Sequence, residues 1–370
     1  MTIERFEMER YQSLYWHLVD YDLSESGVSP LTIAELLGPE AAGFVDTPLG
    51  YPLSEGSHES RAAIAQWYPD ATPDNVTMMN GGSEANLLTV WSLLEPGDRL
   101  AFMVPNYCQA LGLGPMFADA VDTFHLTRHG ERWGLDLESL DRAVGTDTKV
   151  VMVCNPNNPT GTVLTDTEMD AVVDVAARAG AWIVADEIYR GAEVDTAVTS
   201  PTFWGRYDKV VVTSGLSKAF GMPGLRVGWA VAPTDVVMRI WDRHDYTTLT
   251  PGAVSDRLTA VAMEPTRREQ IFARTREIIR ANLPELEAWI LDQPTLRYVR
   301  PVAGAIAFAE VDLPMPTREV VDRIRREQSV LLVPGEMFGI ENGIRFGFGY
   351  DIQHTLKGLA LAGETLASLA

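Results

Sequence analysis

The stretch TSGLSKAFGMPGLRVG (213–228) decides the fold, because it joins the end of an apolar run to a lysine held between small residues. The apolar run, KVVVTSG (209–215), is short, rich in valine and not alternating, which is typical of a strand buried on both faces. Lys218 follows this run, and Arg226 stands eight positions later. A lysine just after a buried strand is expected at the sheet edge where ligands collect in open parallel sheets.

Similar apolar runs precede this stretch. They are NVTMMN (75–80), RLAFMVP (99–105), KVVMVCN (149–155) and AWIVADE (181–187). Helical patterns lie between several of them, at SEANLLTVWSLL (83–94) and DTEMDAVVDVAARAG (166–180). Strands that alternate with helices predict an α/β fold with a mainly parallel sheet covered by helices on both faces.

The pattern changes after about residue 250. A long helical region leads there to shorter strand-like pieces, such as GAIAFAEV (304–311), and to a last helix. We therefore expect an N-terminal segment (1–45) that joins the smaller domain and the site entrance, a large domain (46–250) and a smaller α+β domain (251–370).

Composition and charge exclude several classes of protein. The chain has 370 residues, 46% apolar and 22% charged, as in an ordinary globular protein. A formal net charge of −21 argues against nucleic acid or an anionic membrane as partner. The charged start MTIERFEMERYQ does not resemble a secretory signal, so we expect a cytoplasmic protein. Cys108 and Cys154 lack metal-ligand spacing, so we expect reduced, structural cysteines and no metal site.

The residues that follow the apolar runs carry most of the chemistry. NGGSEAN (80–86) offers glycines and helix amides to an anion such as a phosphate, although a plain strand-to-helix turn would need the same residues. NPNNPTG (155–161) supplies either side-chain amides or only a rigid turn. DEIYRG (186–191) places an acid at a strand end with a tyrosine three positions on. We expect these groups to meet at one sheet edge.

Lysine is scarce, and only one lysine follows a strand. The sequence holds Lys149, Lys209, Lys218 and Lys357. A lysine at a sheet edge near a phosphate site and a carboxylate suits an aldehyde cofactor held as a Schiff base. Its amine must be desolvated or near another cation to lose its proton close to neutral pH. Arg226 is the candidate for that cation and for a phosphate clamp.

The chain resembles the class I/II aminotransferase family of fold-type I pyridoxal-phosphate enzymes. The resemblance rests on GGSEAN (81–86), NPNNPTG (155–161), ADEIY (185–189) and SGLSKAFGMPGLRVG (214–228), in family order and with similar separations. It covers most of the chain. It implies a large domain with a mainly parallel seven-stranded sheet, a smaller α+β domain, and pyridoxal 5′-phosphate as the cofactor.

The resemblance assigns roles around the cofactor ring. It implies that Lys218 forms the Schiff base and moves a proton between the substrate Cα and the cofactor C4′. Asp186 would pair with the pyridinium nitrogen and keep it protonated. Tyr189 and Asn158 would hydrogen-bond the ring O3′, and Tyr107 would stack on the ring.

The same resemblance implies how the phosphate and the substrate are held. The phosphate would be bound by Gly82, Ser83, Glu84 and Arg226. Arg345, within GIRFGFGY (343–350), would form a bidentate pair with the substrate α-carboxylate, with Asn158 beside it. An arginine in an apolar strand would otherwise need another buried partner.

A further match concerns assembly. The segment GYPLSEGSHESRAAIAQWY (50–68) resembles the family segment whose tyrosine crosses a dimer interface to the phosphate of the partner subunit. It implies a homodimer with Tyr51 in that role. The alternative is a tyrosine that packs before a helix.

Two departures from the family pattern stand out. Gly215 occupies a position where the family often has a phosphate-binding serine, and either Ser214 or Ser217 could replace it. Ser217 is the substitute we favour.

The second departure is in the segment SESGV (24–28). It resembles the aminotransferase segment that places a glycine amide, here that of Gly27, near the substrate. It also resembles a stretch of capreomycidine synthase-type enzymes, which act on hydroxylated arginine. Glu9 and Glu25 would then face a guanidinium, or both are simply solvated.

Three functions remain open. The first is an aminotransferase that moves an amino group from an L-amino acid to a 2-oxo acid through the Lys218 Schiff base. The second is a lyase or cyclase that eliminates a group from a substituted amino acid such as a hydroxylated arginine. The third is a binding or regulatory protein that keeps the fold without catalysis. An aromatic entrance of Trp16, Tyr21 and Tyr51 does not identify the substrate.

Overall fold

A computed structural model describes residues 4–370, so the first three residues of the expected N-terminal segment lie outside the described residues. The strands are β1 (Tyr21–Asp22), β2 (Val76–Met79), β3 (Arg99–Val104), β4 (Ala120–His129), β5 (Arg132–Leu135), β6 (Thr148–Cys154), β7 (Trp182–Asp186), β8 (Val210–Gly215), β9 (Gly228–Val231), β10 (Leu296–Tyr298), β11 (Ile306–Val311), β12 (Val330–Leu331), β13 (Val333–Pro334) and β14 (Gly343–Gly347). The five apolar runs of the sequence thus form β2, β3, β6, β7 and β8, as predicted.

Helices connect these strands. They are α1 (Glu7–Tyr15), α2 (Ile33–Leu37), α3 (Ala41–Phe44), α4 (His58–Ala65), α5 (Gly82–Leu93), α6 (Gln109–Phe117), α7 (Leu137–Ala143), α8 (Asp166–Ala179), α9 (Thr234–His244), α10 (Ala253–Met263), α11 (Pro265–Leu291), α12 (Thr317–Gln328) and α13 (Ile352–Leu369). Both predicted helices between strands are present, as α5 and α8. α8 begins with a capping box between Thr165 and Glu168 and ends at Gly180, whose φ of 68° suits glycine.

The large sheet has the order β2-β9-β8-β7-β6-β3-β4-β5. Its central pairs are parallel, whereas β9 runs antiparallel to both of its neighbours. The resemblance implied seven strands, and β5 adds an eighth. β4 pairs with β3 only as far as His125, and the remaining residues of β4, Leu126–His129, pair with β5 in an antiparallel hairpin.

Alternate residues of the central strands enter different apolar layers. Val151 and Val153 of β6 pack into one core cluster, whereas Val150 and Met152 pack into the other, on the opposite face of the sheet. All four are nearly inaccessible to solvent. Burial on both faces is why these strands read as continuous apolar runs rather than as alternating ones.

The C-terminal part forms a second, antiparallel sheet in the order β10-β11-β14-β13. The N-terminal segment joins this part, because β1 pairs in parallel with β12 and an isolated bridge joins Val28 to Gly349. The domain boundaries at 45/46 and 250/251 stay predictions.

Within residues 4–370, no helix is both long and apolar enough to cross a membrane. The cytoplasmic location stays a prediction.

Candidate active site

The loops that follow β2, β3, β6, β7 and β8 meet at one edge of the large sheet and enclose a cavity of about 540 Å³. α1 contributes Met8, Glu9 and Gln12 to its wall. The predicted site residues that line the cavity are Glu25, Gly82, Ser83, Tyr107, Asn158, Asp186, Tyr189, Ser217, Lys218, Arg226 and Arg345. The structure therefore brings most of the sequence-predicted site together.

Lys218 is bound by a carboxylate from the N-terminal segment. Its Nζ donates to Glu25 Oε1 at 2.8 Å. The same oxygen accepts the backbone amides of Ser26 at 2.9 Å and Gly27 at 2.8 Å. Gly27 also lies against the lysine, because a Cβ built at this position would be 3.7 Å from Lys218 Cδ. The Gly27 amide predicted to face the substrate therefore holds Glu25.

The Glu25–Lys218 pair changes the pKa of both groups. Burial alone would raise the pKa of Glu25, but the charge and hydrogen bond of Lys218 outweigh burial and lower the pKa to about 2. Burial would lower the pKa of Lys218, but Glu25 and Tyr189 outweigh it and raise the pKa. The lowered pKa expected for this amine, with Arg226 as the nearby cation, is not found: the amine is bonded to a carboxylate, and the guanidinium whose charge lowers its pKa is that of Arg345.

Asp186 ends β7 as a buried carboxylate with two hydrogen-bond donors. Asn86 Nδ2 donates to Asp186 Oδ2 at 2.8 Å, and the Ile188 amide donates to Oδ1 at 3.1 Å. Burial raises the pKa of Asp186, and both donors oppose that shift because they favour the ionised form. Asn86 was not among the predicted site residues, although it ends the GGSEAN motif and lies one helical turn after Gly82.

Arg345 lies on β14 with only 1% of its surface exposed. Its Nη1 donates to Asn158 Oδ1 at 2.9 Å, Nη2 donates to the Ser24 carbonyl oxygen, and the guanidinium carbon lies 4.9 Å from the centre of the Phe338 ring. Among residues 4–370, Arg345 Nε has no hydrogen-bond partner. A buried guanidinium bonded only to neutral oxygens needs an anion, which fits the predicted α-carboxylate.

Tyr189 faces the same space from the loop after β7. Its hydroxyl donates to Ser26 Oγ at 2.9 Å, and only 3% of the residue is exposed. Burial raises the pKa of Tyr189, against the opposing charges of Lys218 and Arg345. Ser26 was not among the predicted site residues, although it stands between two of them, Glu25 and Gly27.

The N-terminus of α5 and Arg226 form the predicted phosphate seat. Gly81 precedes the helix with a φ of 100°, which favours glycine. A Cβ at Gly81 would lie 2.2 Å from Arg226 Nη2, so the guanidinium rests directly on this turn. A Cβ at Gly228 of β9 would lie 2.6 Å from the Gly82 nitrogen. Close backbone approach, a helix N-terminus and a guanidinium together suit a phosphate.

The Glu84 side chain does not belong to the phosphate site, contrary to the prediction from sequence. Its Oε2 accepts the Asn80 amide at 2.6 Å, and its Oε1 accepts the Thr248 hydroxyl at 2.9 Å. His244 Nε2 lies 3.6 Å from Glu84 Oε2. Glu84 does not line the cavity, and a carboxylate would repel a phosphate. Only its backbone amide, in the first turn of α5, remains a candidate for phosphate binding.

The structure explains the glycine at position 215. A Cβ there would lie 2.4 Å from the Val227 carbonyl oxygen, so no serine fits. Ser214 is buried outside the cavity wall, where its hydroxyl donates to the Glu187 carbonyl oxygen at 3.3 Å. Ser217 lines the cavity and is the better substitute of the two.

Tyr107 links the wall of the cavity to α1. Its hydroxyl donates to Glu9 Oε1 at 2.8 Å and lies 3.1 Å from Ser83 Oγ. Burial, with the nearby charge of Glu9, raises the pKa of Tyr107. Glu9 therefore belongs to the cavity rather than to a solvated helix face.

The predicted aromatic entrance is only partly present. Trp16 lines the cavity. Tyr21 instead packs on His354, with ring centres 4.8 Å apart, and does not line the cavity. Tyr51 is 88% exposed and lies outside the cavity of its own chain.

Comparisons with known proteins agree with this geometry. Residues 40–357 match the family described as aminotransferase class I and II. The chain is 30% identical to the capreomycidine synthase of Streptomyces vinaceus in an alignment of 363 positions that covers 94% of this chain and 90% of that protein.

Solved structures also match over the whole chain. A pyridoxal-phosphate-dependent aminotransferase from Streptococcus suis superposes with a TM-score of 0.92 at 31% identity, covering 100% of this chain and 99% of that one. The pyridoxal-phosphate-dependent cyclase OrfR superposes with a TM-score of 0.88 at 27% identity, with the same coverage. The chain therefore belongs to the class I and II aminotransferase family, whose members use pyridoxal phosphate.

Proposed function

We propose that the protein is an aminotransferase that moves an amino group from an L-amino acid to a 2-oxo acid. One observation carries the proposal. A single cavity holds an amine (Lys218), a buried carboxylate (Asp186) and a buried guanidinium (Arg345), of which one N–H has no acceptor among the described residues 4–370. These are the groups needed to attach the cofactor, to balance its ring nitrogen and to bind a substrate carboxylate.

The residues of the cavity fit pyridoxal phosphate. The glycine turn before α5, with Arg226 against it, would hold the phosphate. Tyr107 would face the ring, Asp186 its nitrogen, and Asn158 and Tyr189 its O3′. When bound, pyridoxal phosphate supplies an electron sink that makes the Cα proton of an amino acid removable.

The side chains of this chain would then position the substrate and carry the proton. Arg345 and Asn158 already lie in one hydrogen-bonded unit, so the guanidinium is oriented before a carboxylate arrives. Lys218 Nζ would attach the cofactor and would then carry a proton between the substrate Cα and the cofactor C4′. Glu25, at 2.8 Å, would hold the lysine Nζ in place during this transfer.

The test uses the protein loaded with pyridoxal phosphate and a panel of L-amino acids, each with and without a 2-oxo acid. We expect amino transfer that requires the 2-oxo acid, and loss of both transfer and the visible Schiff-base absorbance in Lys218→Ala. Transfer that persists in Lys218→Ala would overturn the role of the lysine. Binding of amino acids without any turnover would favour a non-catalytic protein.

A second candidate is elimination and ring closure on a cationic, substituted amino acid such as a hydroxylated arginine. The specific observation is that the cavity wall holds two carboxylates, Glu9 and Glu25, on the side formed by the N-terminal segment. A guanidinium substrate would find acceptors there. The similarity to capreomycidine synthase and to the cyclase OrfR supports the same candidate.

The two candidates differ in what they consume. Elimination of the Cβ hydroxyl as water, followed by addition of a guanidinium nitrogen to Cβ, gives a net loss of one water and needs no 2-oxo acid. Mass spectrometry of a hydroxylated arginine incubated with the loaded protein alone would detect that loss. A product that forms only with a 2-oxo acid would contradict the second candidate.

We also propose a homodimer in which Tyr51 reaches the phosphate of the partner subunit. The support is that Val45, Leu49 and Tyr51 are each more than 80% exposed on the single chain, an unfavourable state for apolar side chains. Light scattering would measure the mass in solution. A protein that is monomeric in solution and still binds pyridoxal phosphate tightly would contradict the proposal.

A further inference from the structure

Asp186 is the first of three buried polar side chains that hydrogen bonds join into a relay. Asn86 Nδ2 donates to Asp186 Oδ2 at 2.8 Å, and Thr213 Oγ1 donates to Asn86 Oδ1 at 2.6 Å. Asn86 is 3% exposed and Thr213 is 1% exposed. The relay draws on three elements, since Asn86 lies on α5, Asp186 on β7 and Thr213 on β8.

The chemistry of the relay fixes the orientation of the amide. An ionised carboxylate only accepts hydrogen bonds, so the amino group of Asn86 must face Asp186. The amide oxygen then faces Thr213, whose hydroxyl donates to it. Asp186 and Thr213 are register partners on adjacent parallel strands, so the amide spans a pair of side chains fixed by the sheet.

We propose that Asn86, oriented by Thr213, is a positioning residue that keeps the Asp186 carboxylate aimed at the ring nitrogen of pyridoxal phosphate, so that tight retention of the cofactor depends on this relay. The inference rests on the proposed role of Asp186. It goes beyond that role because it gives a function to Asn86 and Thr213, to which the proposed function assigns none.

Two physical points support the proposal. The bond to a charged acceptor in a buried site is the stronger kind, and without it one carboxylate oxygen would lose its donor. Asn86 also lies four residues after Gly82 on α5, so one helical turn connects the phosphate seat to the carboxylate. The two ends of the cofactor would thus be held at a fixed separation by the same helix.

The experiment compares the dissociation constants of two ligands, pyridoxal 5′-phosphate and its 1-deaza analogue, in which carbon replaces the ring nitrogen. The variants are Asn86→Leu and Thr213→Val, with Thr213→Ser keeping the hydroxyl. Thr89→Val is the matched control, since its hydroxyl is also buried on α5 and has no hydrogen-bond partner within residues 4–370. Binding is followed by quenching of tryptophan fluorescence.

We expect Asn86→Leu to weaken binding of pyridoxal phosphate by roughly ten- to a hundredfold, as for a lost bond to a charged group, and to leave the deaza analogue nearly unaffected. Thr213→Val should act in the same direction by about tenfold or less, because the amide can then rotate. Thr213→Ser and Thr89→Val should bind both ligands like the unmodified protein.

A purely structural role would weaken both ligands equally in Asn86→Leu, and that result would overturn the proposal. If Asn86→Leu does not fold, Thr213→Val decides, and equal effects on both ligands there would overturn it as well. Asp186→Asn separates a failure of the relay from a failure of the proposed role of Asp186. If Asp186→Asn discriminates between the ligands and the relay variants do not, only the relay is wrong. If Asp186→Asn does not discriminate either, the proposed role of Asp186 fails.

Discussion

Lys218 Nζ lies 2.8 Å from Glu25 Oε1, although the two residues are 193 positions apart in the sequence. The contact brings the N-terminal segment to the amine at the edge of the large sheet. It makes the charge of the lysine dependent on a carboxylate that is not part of the sheet. The protonation of Lys218 can therefore be tested through Glu25.

We predict that Glu25→Gln lowers the pKa of Lys218, because the charge that opposes burial most strongly is then removed. The measurement is the pH dependence of the reaction of Lys218 with trinitrobenzenesulfonate in cofactor-free protein, read out by peptide mass spectrometry. The profile should move to lower pH. Glu59→Gln, on an exposed position of α4, should leave it unchanged. An unshifted profile in Glu25→Gln would show that Glu25 does not control the amine.

We predict that Gly215→Ser destabilises the protein instead of supplying a phosphate ligand. The added Cβ would meet the Val227 carbonyl oxygen at 2.4 Å. The backbone at Val227 could shift away only at a cost in free energy. The free energy of unfolding should fall by roughly 1–3 kcal/mol, as for other overpacked sites. Urea unfolding measures it. Gly112→Ser on α6, where a Cβ would meet no atom within 4 Å apart from its chain neighbours and the helix backbone, is the control. Improved cofactor affinity in Gly215→Ser would contradict this account.

Much of the large domain could be predicted from sequence for a physical reason. Strands buried on both faces must be apolar throughout, so β2, β3, β6, β7 and β8 were visible as runs. β4 was not, since its burial is irregular and its second half forms a hairpin with β5. The residues directly after the visible strands also identified most of the cavity wall.

The contacts inside the site could not be predicted in the same way. Sequence gives the position of Glu84 on the phosphate-binding turn, but the direction of its side chain depends on His244 and Thr248, far along the chain. The pairing of Glu25 with Lys218 likewise depends on how the N-terminal segment folds back. Motifs locate backbone, whereas tertiary contacts determine which way each carboxylate points.

We predict that Glu84 stabilises the turn before α5 in a pH-dependent way. Burial opposes ionisation, but nearby His244, 3.6 Å away, and the bonds from Asn80 and Thr248 outweigh it and lower the pKa of Glu84 from 4.5 to about 2. A carboxyl with a lowered folded-state pKa contributes stability above its unfolded value and loses it as the pH falls towards the folded value. The contribution of Glu84 to the free energy of unfolding should therefore be complete above pH 4.5 and should disappear as the pH falls towards about 2.

The measurement is the free energy of unfolding of Glu84→Gln at two pH values. At about pH 7 the variant should be less stable by roughly 1–3 kcal/mol, and at about pH 3 the difference should be smaller. Glu138→Gln, whose side chain is 84% exposed, is the control. A difference that does not change with pH would mean that the charge of Glu84 is not what stabilises the turn.

We predict that Arg345→Lys selectively impairs substrates that carry an α-carboxylate. The guanidinium keeps bonds to Asn158 and to the Ser24 carbonyl oxygen, while Nε has no partner in the described part of the chain, an arrangement that one ammonium group cannot reproduce. The kcat/KM for an L-amino acid should fall by roughly a hundredfold or more, as for a broken buried charge pair. The kcat/KM for the amine that lacks the carboxylate should change much less. Arg318→Lys, in an exposed ion pair with Glu7, should affect neither. Equal losses on both substrates would indicate that Arg345 supports the fold of β14 rather than binding the carboxylate.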